Sequence, residues 1–211
     1  IVALQIVKFE RRKPSDKPPV GFLAQIGEGV TFIFTEPSLR YLMIVATAFS
    51  FFIRPYRDLF AGISETVYGT GPEGLATLAS SVGGGALIGA LFFTVFGHRF
   101  RFTHSFVVAA CMGVVFLFGF AFAPTFVLAC VFACLAGACV TMQGTCGQVL
   151  LQAAVDDARR GRVMSLWGAQ IRGAPAIGAW GIGMLAPSIG VRWGLVLLCV
   201  GFAGVMLVYW R

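Results

Sequence analysis

Six long apolar stretches, separated by short loops, run through most of this 211-residue chain. A helix needs about 20 apolar residues to cross a hydrocarbon core of about 30 Å. Only 12% of the residues are charged, whereas about a quarter are charged in a soluble domain. The sequence therefore predicts an all-α, multi-pass membrane protein surrounded by lipid, without a separate soluble domain. The predicted spans are residues 39–60, 74–96, 103–122, 125–151, 163–187 and 194–210.

Residues 1–38 precede the spans and divide into three parts. Residues 1–7 are apolar and read as the end of a preceding helix, so we expect the chain to begin partway through a larger protein. A basic, proline-broken linker follows, and such a segment does not enter a bilayer. From Phe22 onward, apolar residues recur at helical spacing, which predicts an amphipathic helix on the membrane surface that Pro37 ends.

The basic residues fall mostly on one side of this predicted arrangement. Twelve of the sixteen lysines and arginines lie in the linker, at the start of the first span, in alternate loops or at residue 211. Only Arg54, Arg57 and Arg192 lie on the other side. Because loops rich in Lys and Arg face the cytoplasm, both ends are expected there. Topology thus explains the net charge of +7, and no nucleic acid partner is predicted.

The six cysteines all lie within apolar stretches, where cysteine behaves as a small hydrophobic residue. Their spacing suits neither a disulfide framework nor a zinc site. No metal or cofactor is therefore predicted. The cysteines are Cys111, Cys130, Cys134, Cys139, Cys146 and Cys199.

Four of the spans carry a polar stripe on one helical face, whereas the third and sixth carry almost none. Polar residues are unfavourable in lipid, so the striped helices are expected to line a polar path and the other two to face lipid. Two lining helices and one peripheral helix, repeated, predict two three-helix repeats. Ordinary hydrogen bonding between helices is the alternative for each Ser, Thr or Gln taken singly. The stripes include Thr47, Ser50 and Arg54; Thr77, Ser80 and Ser81; Thr141, Thr145, Gln148 and Gln152; and Ser165 and Arg172.

Arg172 is the one arginine placed deep inside a predicted span. An arginine there is unfavourable by several kcal/mol unless it faces water, an anion or a partner. Two readings stay open: a functional role in a polar path, and a structural pair with backbone carbonyls or a carboxylate of an adjoining helix. Pro175 follows three residues later, which predicts a kink beside the charge.

Several motifs resemble transporters of the major facilitator superfamily, specifically the enterobactin-exporter-like branch. The segment of residues 156–165, with two aspartates before Arg160-Gly161-Arg162, is similar to the cytoplasmic loop between helices 10 and 11 of that superfamily. Further similar motifs follow in the same order along the chain. They are Glu36-Pro37-Ser38-Leu39-Arg40, Arg54-Pro55-Tyr56, the glycines from Gly83 to Gly89, and Arg172-Gly173-Ala174-Pro175.

The resemblance implies that this chain is the carboxy-terminal half of a twelve-helix fold, which works with a missing amino-terminal six-helix half. It implies a bacterial inner-membrane protein that exports small molecules, siderophore-like or drug-like, by alternating access driven by an ion gradient. A non-transporting membrane partner subunit is an alternative. A membrane enzyme is less consistent with the sequence, because His98 and His104 lie at a membrane edge without catalytic partners.

Two groups of residues are predicted to carry the function. The first lines the substrate pathway, and the second forms a cytoplasmic gate, for which plain topology is the simpler reading. No acidic residue lies deep in a span, so the main proton carrier of a proton-coupled transporter is expected in the missing half. The pathway residues are Arg172, Gln148, Gln152, Thr145, Thr141, Arg54, Ser50 and Thr47, and the gate-loop residues are Asp156, Asp157, Arg160 and Arg162.

Overall fold

The computed structural model describes residues 22–99 and 101–209, and this part of the chain is helical almost throughout. The predicted end of a preceding helix and the basic linker, in residues 1–21, lie outside the described residues, as do residues 210 and 211. The α-helices are α1 (Phe22–Thr35), α2 (Pro37–Phe52), α3 (Phe60–Thr66), α4 (Gly71–Phe96), α5 (Phe102–Ala121), α6 (Phe126–Ala154), α7 (Asp157–Ile189) and α8 (Val191–Tyr209).

Four of these helices, α4, α5, α6 and α8, are long and apolar enough to cross a membrane by length and composition. The other two predicted spans correspond to α2, which has 16 residues, and to α7, which has 33 residues. The helix α2 is shorter than the roughly 20 residues that cross a hydrocarbon core, and α7 contains Arg172 and other charged residues that lower its mean hydropathy. Six spans and two three-helix repeats therefore stay predictions.

The first predicted span, residues 39–60, is not one continuous α-helix. The helix α2 begins at Pro37 and ends at Phe52, and a 3-10 turn at Arg54–Arg57 follows it. Proline lacks an N–H group and clashes with the preceding helical turn, so Pro55 accounts for the change of geometry. The predicted loop after this span is also largely helical, because it contains α3 and the first turn of α4.

The helix α6 packs against α4 and α5 through small residues. A side chain at Gly85 of α4 would overlap the carbonyl of Cys134, and a Cβ at Gly89 would lie 2.7 Å from the Ala138 oxygen. Small residues of this kind let transmembrane helices approach closely enough for backbone contact. The helices α4, α5 and α6 thus form one tightly packed group.

The helices α2, α7 and α8 form a second group. The rings of Phe49 and Phe202 meet edge to face with centroids 5.4 Å apart, and Gly178 of α7 lies against the backbone of Phe51. Contacts of α5 with α8 and of α2 with α6 join the two groups. This packing cuts across the two predicted repeats, because the first span packs with the last two.

The exposed faces of α5 and α8 are strongly apolar, and exposed apolar residues also occur on α4, α6 and α7, so lipid exposure of α5 and α8 in particular stays a prediction. Exposed residues on α5 recur at helical spacing and form one continuous stripe. A similar stripe follows α8. The stripes contain Val108, Met112, Val115 and Phe118 on α5, with Phe122 directly after its end, and Trp193, Leu197, Val200 and Leu207 on α8.

Candidate substrate pathway

The predicted polar face of α2 divides into an open part and a buried part. Thr47 is exposed, whereas Ser50 is 2% exposed. The Ser50 hydroxyl accepts a hydrogen bond of 2.8 Å from Nε2 of Gln170 on α7, and the same nitrogen donates to the Ala46 carbonyl at 2.8 Å. Ser50 therefore joins α2 to α7. The Ser50 hydroxyl is already used in this contact. The place of Ser50 in the pathway stays a prediction.

Arg54 reaches from the 3-10 turn toward α6. A Cβ at Gly144 would lie 3.2 Å from Nη2 of Arg54, so the glycine leaves room for the guanidinium group. The Nε atom of Arg54 is buried and lacks a hydrogen-bond partner among the described residues. Because an unpaired buried donor is unfavourable by about 1–3 kcal/mol, this N–H group is suited to donate a hydrogen bond to a ligand or a water molecule.

The predicted stripe on α6 surrounds this contact with Arg54. Thr145, Gln148 and Gln152 are exposed, and Thr141 is half-buried. The hydroxyl of Thr141 donates to the Gly137 carbonyl at 3.0 Å, and that of Thr145 donates to the Thr141 carbonyl at 2.9 Å. Such bonds to the preceding turn are common for threonine in helices. They leave oxygen lone pairs and two glutamine amides available along one face of α6.

Arg172 lies on the exposed face of α7, away from the face that packs on α2. The packed face contains buried Ala174 and Gly178, and Gln170 reaches from it to α2. Within the described part of the chain, Arg172 has no ion pair and no side-chain hydrogen bond. The helix continues through Pro175 without interruption. The carboxylate pair, one structural reading of Arg172, is thus not formed by the described residues.

The gate residues are helical, so the prediction that they form a loop is wrong: α7 begins at Asp157. Asp156 occupies the N-cap position, and its carbonyl accepts hydrogen bonds from the backbone N–H groups of Arg159 and Arg160. An acidic residue in the first turn also favours the helix through its dipole. Asp157 and Arg160 both lie on the first turn of α7, three residues apart, and form an exposed ion pair of 2.7 Å there.

The start of α7 is held against α1 by an arginine. The guanidinium of Arg159 lies 4.6 Å from the ring centroid of Phe32, a cation–π contact, and the neighbouring Ile33 is 3% exposed. Arg162, also predicted for the gate, is half-buried. A gate role for these residues stays a prediction.

Sequence reasoning missed three residues of this region. Gln170 links α2 to α7, Gln143 is 2% exposed within α6, and Trp167 of α7 packs on Gly147, where an added Cβ would lie 2.6 Å from its ring. Each lies outside the predicted stripes. A single glutamine in an apolar run is the signal that could have found the first two, because a buried amide needs partners.

One comparison with known proteins gives a match. The major facilitator superfamily model described as "Transmembrane secretion effector" matches residues 1–211, the whole length of the chain. No curated protein and no solved structure matches. The match supports the superfamily named from the motifs, whereas the enterobactin-exporter-like branch stays a prediction.

Proposed function

Because the chain belongs to the transmembrane secretion effector family of the major facilitator superfamily, we propose that it is the carboxy-terminal six-helix half of a small-molecule exporter. Membership of this family points to a transporter rather than an enzyme, and to an integral membrane protein. In the proposal, α2 and α7 cross the membrane together with α4, α5, α6 and α8. Both ends then face the cytoplasm of a bacterial inner membrane.

The observation that carries the proposal is the position of Arg172. It is nine residues after Val163, where the predicted span begins, or about 14 Å along the axis of α7, which is close to the midplane of a hydrocarbon core of about 30 Å. It is exposed and unpaired among the described residues. Since an unpaired arginine in lipid is strongly unfavourable, water, a substrate or the missing half has to face it. Arg54 supplies a second cation, which is half-buried against α6 and has an unpaired Nε atom.

The exposed surfaces of α4 and α7 support a missing partner half. Gly83 and Gly84 on α4, and Gly168 and Gly173 on α7, have no atoms within 4 Å of where a side chain would begin. Small residues at a helix surface permit close approach of another helix. We propose that the amino-terminal half packs there, and that the two halves rock about the path to give alternating access.

An ion gradient is the proposed source of energy. Asp58, Glu65 and Glu73 are exposed and lie at or near helix ends, and no acidic residue lies deep in α2 or in α4 to α8. A proton carrier inside a membrane is usually a titratable carboxylate. The proposal therefore places this carrier in the missing half, and the pathway residues of this half contact the substrate. Siderophore-like and drug-like molecules are the proposed substrates.

Efflux from cells that produce the full-length protein tests this proposal. We expect Arg172→Ala to lower the export rate at least about tenfold, because a hydrogen bond to a charged group contributes about 1.5–3 kcal/mol. Arg101→Ala is the matched control, since Arg101 is an exposed arginine at the start of α5. Membrane abundance must be equal in all strains. Unchanged export by Arg172→Ala would reject a role for Arg172 in transport.

A further inference from the structure

An apolar cavity of about 700 Å³ lies between α1, α2, α7 and α8. Most of its lining residues are aliphatic or aromatic, such as Val30 on α1, Ala48 and Phe52 on α2, and Val205 on α8. Its walls include Arg40 and Tyr209, which lie at one end of α2 and of α8. We propose that this cavity binds one anionic phospholipid from the bilayer, with an acyl chain among the apolar residues and the phosphate at Arg40.

The length of the cavity fits an acyl chain of one leaflet. Arg40 and Phe52 both line it and are 12 residues apart on α2, which corresponds to about 18 Å along the axis. One leaflet contributes about 15 Å to the hydrocarbon core. The cavity therefore extends from the membrane surface, where α2 begins, to about the midplane. This step rests on the membrane crossing of α2 in the proposed function.

The charge at the mouth fits the headgroup. Arg40 is exposed in the first turn of α2 and has no ion pair within the described residues. Arginine presents a planar fork of donors that matches phosphate oxygens, and such charge-assisted bonds are the strong ones. A zwitterionic lipid carries the same phosphate, but its cationic headgroup offsets the attraction to Arg40, so an anionic lipid with the same chains gains more net attraction.

The polar groups along the cavity favour a lipid over a polar substrate. The amide nitrogen of Gln170 already donates to the Ala46 carbonyl and the Ser50 hydroxyl. Its side-chain oxygen lacks a hydrogen-bond partner among the described residues, but it is buried and therefore not accessible from the cavity. Deep in the cavity this leaves the Thr47 hydroxyl as a polar partner. A ligand rich in polar groups would lose its bonds to water there without replacement, whereas an acyl chain loses none.

Lipid retention by the purified full-length protein tests the proposal. Native mass spectrometry would count the lipids retained after exchange into phosphatidylglycerol or into phosphatidylcholine with the same chains. We expect one tightly held phosphatidylglycerol per protein, retained at least fivefold more than phosphatidylcholine. Arg40→Gln should remove this preference, and Ala169→Phe, which places a ring in the cavity from exposed Ala169, should remove retention of both lipids. Arg101→Gln is the matched control for charge and should behave like the wild type.

Three results would overturn the proposal. They are equal retention of the two lipids by the wild type, an unchanged preference in Arg40→Gln, and full retention in Ala169→Phe. If Ala169→Phe does not fold, Ala48→Leu fills the same cavity by a smaller change. Absence of retained lipid in the wild type would overturn the proposal as well, and would favour the missing half or the exported molecule as the occupant of the cavity. Arg172→Ala should retain the lipid, so failure of this inference and failure of the transport proposal are distinguishable.

Discussion

The contact of α4 with α6 at Gly85 predicts that a single methyl group destabilises the protein. A Cβ at Gly85 would overlap the carbonyl of Cys134. At Gly89, one turn further along α4, it would lie 2.7 Å from the Ala138 oxygen, where ordinary contacts begin at 3.4 Å. Both obstacles are backbone atoms of a helix, which cannot rotate away. Gly85→Ala therefore forces the two helices apart.

The expected magnitude follows from two opposing terms. Overpacking of a tight interface is unfavourable by about 1–3 kcal/mol, whereas alanine favours a helix over glycine by up to about 1 kcal/mol. Because an added Cβ at Gly85 would overlap backbone atoms, the steric term lies in the upper part of its range, about 2–3 kcal/mol, so Gly85→Ala should lower the free energy of unfolding by about 1–2 kcal/mol. Gly204 on α8 is the matched control, because it is exposed and has nothing within 4 Å of an added Cβ. Gly204→Ala should be neutral or stabilising by up to about 1 kcal/mol.

Thermal unfolding of the purified full-length protein in detergent measures both changes. A difference of 1 kcal/mol shifts the unfolding temperature of a domain of this size by about 2–4 °C, so Gly85→Ala should unfold several degrees below Gly204→Ala. The unfolding temperature of Gly204→Ala should be at or above that of the wild type. A Gly85→Ala variant as stable as Gly204→Ala would refute backbone contact between α4 and α6.

Three further substitutions are expected to change stability by different amounts, each measured by thermal unfolding. Gln170→Leu removes the donor that bridges Ala46 and Ser50, so the free energy of unfolding should fall by about 1–3 kcal/mol. An unchanged unfolding temperature would contradict the link between α2 and α7. Tyr68→Phe removes a hydrogen bond of 2.8 Å from the hydroxyl to the Ala123 carbonyl, and a loss of about 1 kcal/mol is expected; no loss would mean that water replaces the bond. Arg160→Ala should change stability by less than about 0.5 kcal/mol, because its ion pair is exposed; a loss above about 1 kcal/mol would indicate a latch.

The sequence predicts the helical class and the order of the long apolar helices, because lipid requires each backbone group to bond within its own helix. It also predicts the turn at Ala123 and Pro124, which lies between the end of α5 at Ala121 and the start of α6 at Phe126. Composition and length determine these features locally. Tertiary contacts are not needed to find them.

Features that depend on contacts between helices were not predictable in the same way. Nothing within α2 indicates that the Ser50 hydroxyl meets Gln170, since the two lie 120 residues apart. The residues after Asp156 were predicted as a loop because they are charged, yet arginine and alanine are strong helix formers and α7 begins there. Charge favours a membrane boundary at these residues, which stays a prediction. It carried no information on backbone conformation.

The central claim is that one face of α6 and α7 lines a water-accessible path, whereas α5 and α8 face lipid. Single cysteines at Thr145, Gln148 and Arg172, and at Val115 and Leu207, test it in a full-length protein whose native cysteines are replaced. A hydrophilic thiol reagent reacts with the thiolate, which forms in water and is suppressed in lipid. We predict labelling in intact membranes at the first three positions, and at the other two only after denaturation. Labelling of the α5 and α8 positions, with protection of positions 148 and 172, would contradict the account.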